Sequence, residues 1–244
     1  MVYGLVSSSL VGWGSASVLG PAAGGLVVLA GFAAGQRAGG RRGREVLLPP
    51  GILAARPVLS GLLSGAVYNF TLYGMLLVYT FEFQDARHYS AARTGLAFLP
   101  LTLTAIAGSS FIGGRFVARR GARSGVFAGM LLCAAGLAVL AAGAAPVPYL
   151  VIAAGFVVFS LGMSLTAPAQ TLAVMTFTPD ADKNMASSAL NSARQAGGVT
   201  GVALLGALSA AHPATGLPAA MLLAAAACVV TAVTALRHIP GAAG

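Results

Sequence analysis

The stretch YLVIAAGFVVFSLGMSLTAPAQTLAVMTF, Tyr149–Phe177, runs for 29 residues without a charged side chain. A helix rises about 1.5 Å per residue, so roughly 20 residues cross a hydrocarbon core about 30 Å thick. A soluble helix needs a polar face to show to water, and this segment has none. Outward from it the pattern repeats. Apolar runs lie upstream at about Val18–Ala34, Val58–Phe81, Thr94–Val117 and Val126–Ala145, and downstream at Met185–Ala210 and Leu217–Leu236. Charged residues make up only 8% of the chain and hydrophobic residues 57%, with a mean hydropathy of +0.87. Soluble domains are about 45–50% apolar and about 25% charged. The predicted fold is all-α, a polytopic membrane helix bundle.

The gaps between the runs carry the turn chemistry and the charge. Arg37, Arg41, Arg42 and Arg44 follow the first run, and Pro49-Pro50 then breaks the chain. Glu82–Arg93 is a polar loop, Arg115–Arg123 a basic one, Pro146 and Pro148 a turn, and Thr178–Asn184 a loop with Asp180, Asp182 and Lys183. Pro100 and Pro168 fall inside runs and are candidate kinks. Strict alternation places Arg37, Arg41, Arg42, Arg44, Arg56, Arg115, Arg119, Arg120, Arg123, Lys183 and Arg237 on one side, and only Arg87 and Arg93 on the other. Eleven against two is a positive-inside bias that makes the first side, and the C-terminus, cytoplasmic. The net charge of +9 therefore reports topology and anionic lipid rather than nucleic acid, since no separate basic domain exists. Cys133 and Cys228 lie inside apolar runs and read as buried free thiols. No positive segment precedes an apolar run after Met1, as a secretory signal requires.

Met1–Leu10 is apolar but too short to span, and Trp13 between glycines reads as an interfacial loop residue. With the deduced orientation, Met1–Leu10 resembles the outer end of a helix whose inner part is absent, so the chain is expected to be a truncated product or a fragment.

Several segments carry a family resemblance. Gly114-Arg115-Phe116-Val117-Ala118-Arg119-Arg120-Gly121-Ala122-Arg123 resembles the signature loop of the major facilitator superfamily. Gly114, Arg119, Gly121 and Arg123 fit the pattern; Ala118 stands where an acidic residue belongs and Ala122 replaces a basic one, as in the degraded copy of a C-terminal half. Glycines permit a tight turn between helices, and in the resembled loop Gly114, Arg119, Gly121 and Arg123 would serve the domain seam, the arginines anchoring at the cytoplasmic interface and clamping carbonyls or carboxylates across it. An ordinary positive-inside loop is the alternative reading. Gly12-Trp13-Gly14-Ser15, Leu76–Gln84 with Tyr89-Ser90, Thr94–Pro100, and Ala186–Gly198 with Gly201 resemble, in order and spacing, the fourteen-helix drug:proton antiporters. The resemblance implies a remnant of a linker helix and outer loop at 1–17, a linker helix and basic loop at 18–51, and a C-terminal six-helix domain at 52–244, with an N-terminal six-helix half missing. Gly20-Pro21-Ala22-Ala23-Gly24-Gly25 resembles the fifth-helix antiporter motif but sits at the linker position, where a glycine-rich chain matches by chance.

Candidate site residues follow from position. Asn191, Arg194 and Gln195 are spaced i, i+3, i+4 on one helix face. Arg194 lies about 13 Å inside its span, and an intramembrane charge faces a bundle interior or water. It reads as a gate or domain-seam clamp, or as a contact to an anionic substrate group; structural interhelical bonding is the bland alternative. Gly197, Gly198 and Gly201 beside it read as a packing face. Tyr68, Asn69 and Tyr73 lie mid-span and, with Gln170 after Pro168, suit a cavity for amphipathic small molecules or, equally, helix packing. Glu82, at a span end, is the candidate proton-coupling acid, with an exposed loop acid as the alternative. In the resembled family the coupling acids lie mainly in the N-terminal domain. Asp180 and Asp182 read as charges favouring a helix N-terminus.

No glycine loop with lysine, metal cluster or nucleophile triad is present, and His88, His212 and His238 lie in loops or at the end. The expectation is no enzyme, no cofactor and no metal. The partners expected are the lipid bilayer, a small-molecule substrate, protons and the missing half. The expected function is export of drugs or other small amphipathic molecules from the cell membrane. The alternatives are a half-transporter that needs a separate partner half, or an exporter of a metabolite or lipid.

Overall fold

A computed structural model describes residues 55–142, 147–211 and 215–241. The run Val18–Ala34, Trp13, the Arg37–Arg44 cluster and the first two proposed segments lie outside the described residues. Helix α1 covers Arg56–Phe81, with proline in its first turn, and passes into a π-helical turn at Glu82–Ala86. Helix α2 (Ala91–Ala97) starts at Ser90, whose Oγ accepts a hydrogen bond from the Arg93 N–H at 3.3 Å. Helix α3 (Leu99–Gly108) leads through a second π turn, Ser109–Gly113, into α4 (Gly114–Ala141). Helix α5 is Tyr149–Thr176, α6 is Lys183–Ala211 and α7 is Gly216–His238.

The expected spans after the first are all found, with two departures. The third, expected as one helix kinked at Pro100, is instead broken at Phe98, and Pro100 sits in the first turn of α3. Proline lacks an N–H and disfavours helical geometry in the residue before it, so a fresh helix start suits it better than an interior position. Two π turns, each inserting a wide loop of backbone, were not foreseeable from hydropathy. The second departure is composition. Among the described residues four stretches are long and apolar enough to cross a membrane: Arg56–Ala86, Ala91–Ala141, Tyr149–Thr176 and Gly216–His238. Helix α6 is as long as the others but is not among them.

Ala91–Ala141 is two spans joined at Gly121, where φ 78° and ψ 172° put the backbone in a region only glycine occupies without strain. Packing against α5 proves the reversal. Before Gly121 the chain ascends with α5: Ser160 Oγ donates to the Leu101 carbonyl at 2.8 Å, and Gly108 lies against Ser164. After Gly121 it descends: Gly125 meets Ala169, Gly162 meets Cys133, and Gly136 meets Phe159. Replacing Gly121 with alanine is expected to cost about 1–3 kcal/mol through backbone strain alone. Chemical denaturation of the purified variant in detergent measures it; an unchanged midpoint would remove the strain argument.

Small residues set the helix distances. A Cβ at Gly197 would strike the Ala66 carbonyl, and one at Gly201 the Phe70 carbonyl, so α1 and α6 cross backbone to backbone. This agrees with the packing reading of these glycines. Gly113 approaches the Ser164 carbonyl, the oxygen left without its helical N–H by Pro168 four residues later. One end of the bundle is filled by aromatics. Phe83 stacks on Tyr89 at 5.6 Å and meets Phe98 and Phe156 edge-on, while the buried Tyr79 hydroxyl donates to the Leu140 carbonyl. Cys133 and Cys228 are buried and free. At the opposite end Lys183 pairs with the exposed Asp180, and its hydrogen bond and charge hold that carboxyl below its ordinary range. A depressed carboxyl keeps such a pair intact at neutral pH and loses it only in acid.

Candidate functional site

Helices α1, α5 and α6 meet at a polar junction within the apolar interior. Gly65 of α1 leaves the room: the point where its Cβ would sit lies 3.1 Å from Gln170 Oε1, 3.4 Å from Arg194 Cγ and 2.6 Å from Leu190 Cδ1. Gln170 is fully buried, and neither its amide oxygen nor its amide nitrogen has a hydrogen-bond partner. The Arg194 Nε is likewise buried and unpartnered, while Nη2 donates to Thr171 Oγ1 at 3.2 Å. Buried polar groups left unpaired cost on the order of 1–3 kcal/mol each, so natural structures keep few of them. Tyr68, half-buried on α1, lies within electrostatic reach of both Arg194 and Tyr73. No carboxylate among the described residues pairs with Arg194.

The other residues singled out from the sequence distribute around this junction. Tyr73 is 46% exposed, and its ring edge lies over Gly198, one turn beyond Arg194. Asn69 is half-buried. Asn191 and Gln195 do not join Arg194 in the interior; they are exposed, with Ser187, Ser188, Ser192 and Thr200, on the outward face of α6. Arg194 sits at the edge of that face. The face is polar through the middle of a helix of membrane-spanning length, and this lowers the mean hydropathy of α6 below that of its neighbours. Sequence reasoning missed Thr171 and Gly65. Thr171 was legible as the neighbour of Gln170; Gly65 was one glycine among 33.

Gly114, Arg119 and Arg120 are exposed, and Gly121 and Arg123 half-buried, at the end of the bundle where the start of α4 meets the end of α7. Glu82 lies at the other end, where its Oε1 accepts from Arg87 Nε at 3.0 Å in a largely buried pair. Arg87 also donates to the Val147 carbonyl, tying the loop after α1 to the one before α5. Glu82→Gln is expected to lower stability by about 1–2 kcal/mol by uncoupling Arg87. Thermal unfolding in detergent checks this, and an unchanged midpoint would show the pair to be idle. Among the described residues no group of three His, Cys, Asp or Glu side chains converges as metal ligands would.

The bundle and its junction define a multi-pass membrane protein built from helices that cross in a lipid bilayer. A model of the Major Facilitator Superfamily matches residues 1–202 and again 70–243. The chain is 33% identical over 202 residues to the puromycin resistance protein of Streptomyces alboniger, covering 81% of this chain and 39% of that one. It is 29% identical over 212 residues to the tetracenomycin C resistance and export protein of Streptomyces glaucescens, covering 87% and 38% respectively. A multidrug resistance protein of Mycobacterium tuberculosis is 34% identical over 142 residues, 58% of this chain and 26% of that one. The chain belongs to the major facilitator superfamily, whose members are transporters of small molecules and not enzymes. It spans about two fifths of the length of the first two relatives.

Proposed function

We propose that the chain is the C-terminal part of a secondary active exporter of drugs or other small amphipathic molecules. Residues 52–244 form the six-helix half of a fourteen-helix arrangement, and 1–17 and 18–51, which lie outside the described residues, are assigned to the linker before it. The relatives' resistance and export names favour this class of substrate. The observation that carries the reading is the outward polar face of α6 with Arg194 at its edge. Lipid offers such a face no hydrogen bonds, so it belongs against a second half and the aqueous path between the halves. Transport proceeds by rocking of the two halves about that path. Tyr68, Asn69, Tyr73 and Asn191 line it from this side, Gln170 lies buried behind them as a further candidate for substrate contact, and Arg194 and Gln195 close it.

The charge distribution supports a cytoplasmic C-terminus. Among the described residues Arg56, Arg115, Arg119, Arg120, Arg123, Lys183 and Arg237 share one end of the bundle, and Arg87 and Arg93 the other. Export is driven by proton antiport in the complete protein. The engagement of Glu82 with Arg87 favours a loop-fastening role for that acid and leaves the exchange of protons to carboxylates of the other half. A separately encoded N-terminal half would serve as well as a fused one. Vesicles containing this chain alone are expected to show no efflux of a fluorescent cationic dye under an imposed proton gradient, and vesicles containing both halves to show it. Gradient-driven efflux by the chain alone would overturn the two-half reading.

A further inference from the structure

A concave site outside the α1–α5–α6 junction lies at the basic end of the bundle. It is a crevice of about 530 Å³ between the start of α4 and the end of α7. Arg119, Arg120 and Arg123 form its charged rim, and Phe116, Phe127 and Leu236 its apolar wall. The chain after α7 completes it: Ile239 is buried at 2% exposure, and this brings Gly241 to within 3.5 Å of Arg123 Nη1, measured from its would-be Cβ. The two ion pairs of the described residues involve Glu82 with Arg87 and Asp180 with Lys183, so no carboxylate among the described residues neutralises these three arginines. The reversal at Gly121 is what concentrates them, because it folds the two arginines before it and the one after it onto one rim.

We propose that this crevice is a binding site for one anionic phospholipid, with the headgroup phosphate on Arg119, Arg120 and Arg123 and the first acyl segment along Phe116, Phe127 and Leu236. Two features select a lipid over a free anion, and a third selects a phosphate as the group bound. The rim sits at the reversal between two spans of the stretch Ala91–Ala141 and beside the end of α7, and the ends of membrane-spanning helices are where headgroups lie. The wall continues from the rim onto apolar helix surface, with Leu236 36% exposed. Planar guanidinium groups pair with phosphate oxygens in bidentate fashion, which a diffuse lysine-rich surface does not do. The resemblance of this loop to a family signature suggested a seam between halves. The crevice opens between α4 and α7 of the same half, and lipid there leaves the exposed start of the loop, Gly114, available to such a seam.

The test is native mass spectrometry of the full 244-residue chain released from detergent with added phosphatidylglycerol or phosphatidylcholine. The expected result is one retained phosphatidylglycerol and no retained phosphatidylcholine. Near a membrane surface each arginine contributes about 1 kcal/mol toward an anionic lipid, so Arg119→Gln with Arg123→Gln should weaken retention by about 30-fold. The charge-matched pair Arg56→Gln with Arg115→Gln removes two arginines from the same end outside the crevice and should weaken it less than about twofold. Ser124→Trp, which fills the crevice and leaves the charge unchanged, should also abolish retention. Equal losses in the two arginine pairs would overturn the site in favour of diffuse attraction. Displacement by millimolar inorganic phosphate, or retention in Ser124→Trp, would overturn the lipid assignment.

Discussion

Replacing Arg194 with alanine in a complete transporter, with both halves present, is expected to slow efflux by about 30-fold with near-normal membrane insertion. The magnitude follows from the loss of a hydrogen bond made by a desolvated charged group, about 2 kcal/mol. The geometry says why the effect should be functional rather than structural. Arg194 makes one hydrogen bond within the described residues, to Thr171, and leaves its buried Nε without a partner. Its neighbour Gln170 has an amide with no partner at all. A side chain whose main purpose is to hold helices together spends its donors inside the bundle; this one does not. Arg194→Lys keeps the charge but loses the planar fork, so it should recover only part of the rate. Efflux from vesicles, normalised to protein inserted, measures both variants. Wild-type efflux by Arg194→Ala would reduce Arg194 to packing.

The second large effect concerns the fold. Gly201→Val should cost about 3 kcal/mol, because its Cβ would collide with the Phe70 backbone carbonyl, which cannot swing aside as a side chain can. Gly74 of α1 meets the same turn of α6, where a Cβ on it would lie 2.9 Å from the Gly201 carbonyl oxygen, so the clash has no relief by sliding. The expected outcome is loss of the monodisperse peak on size exclusion in detergent at a temperature where the parent chain keeps it. Gly95→Val is the control: nothing lies within 4 Å of a Cβ there, and the peak should survive. A folded Gly201→Val protein would mean that α1 and α6 stand further apart than their glycines imply.

Both effects were visible in the sequence to different depths. Arg194 stood out because charge is scarce, and Gly201 because it is spaced i, i+4 from Gly197. The helices were legible because hydrocarbon thickness fixes their length, and the span limits Tyr149–Thr176 and Arg56–Phe81 fall within two residues of those read from hydropathy. Three things were not legible. The break at Phe98 depends on where Pro100 finds a free helix start rather than on the presence of proline alone. The partition of α6 into a glycine face against α1 and a polar face turned outward depends on which side α1 approaches, so Asn191 and Gln195 parted from Arg194. The arginine crevice joins residues 116–128 to 236–241, a contact that no local pattern encodes.

The account turns on α6 presenting its polar face to water or to a second half, and never to lipid. Thiol accessibility tests this on the chain itself, since Cys133 and Cys228 are buried and give little background. With the chain in vesicles, Gln195→Cys should react with a membrane-impermeant maleimide at least about tenfold faster than Val230→Cys, which lies on the exposed apolar face of α7 where thiols stay protonated in lipid. Equal, slow labelling at both positions would place the α6 face in lipid and contradict the account.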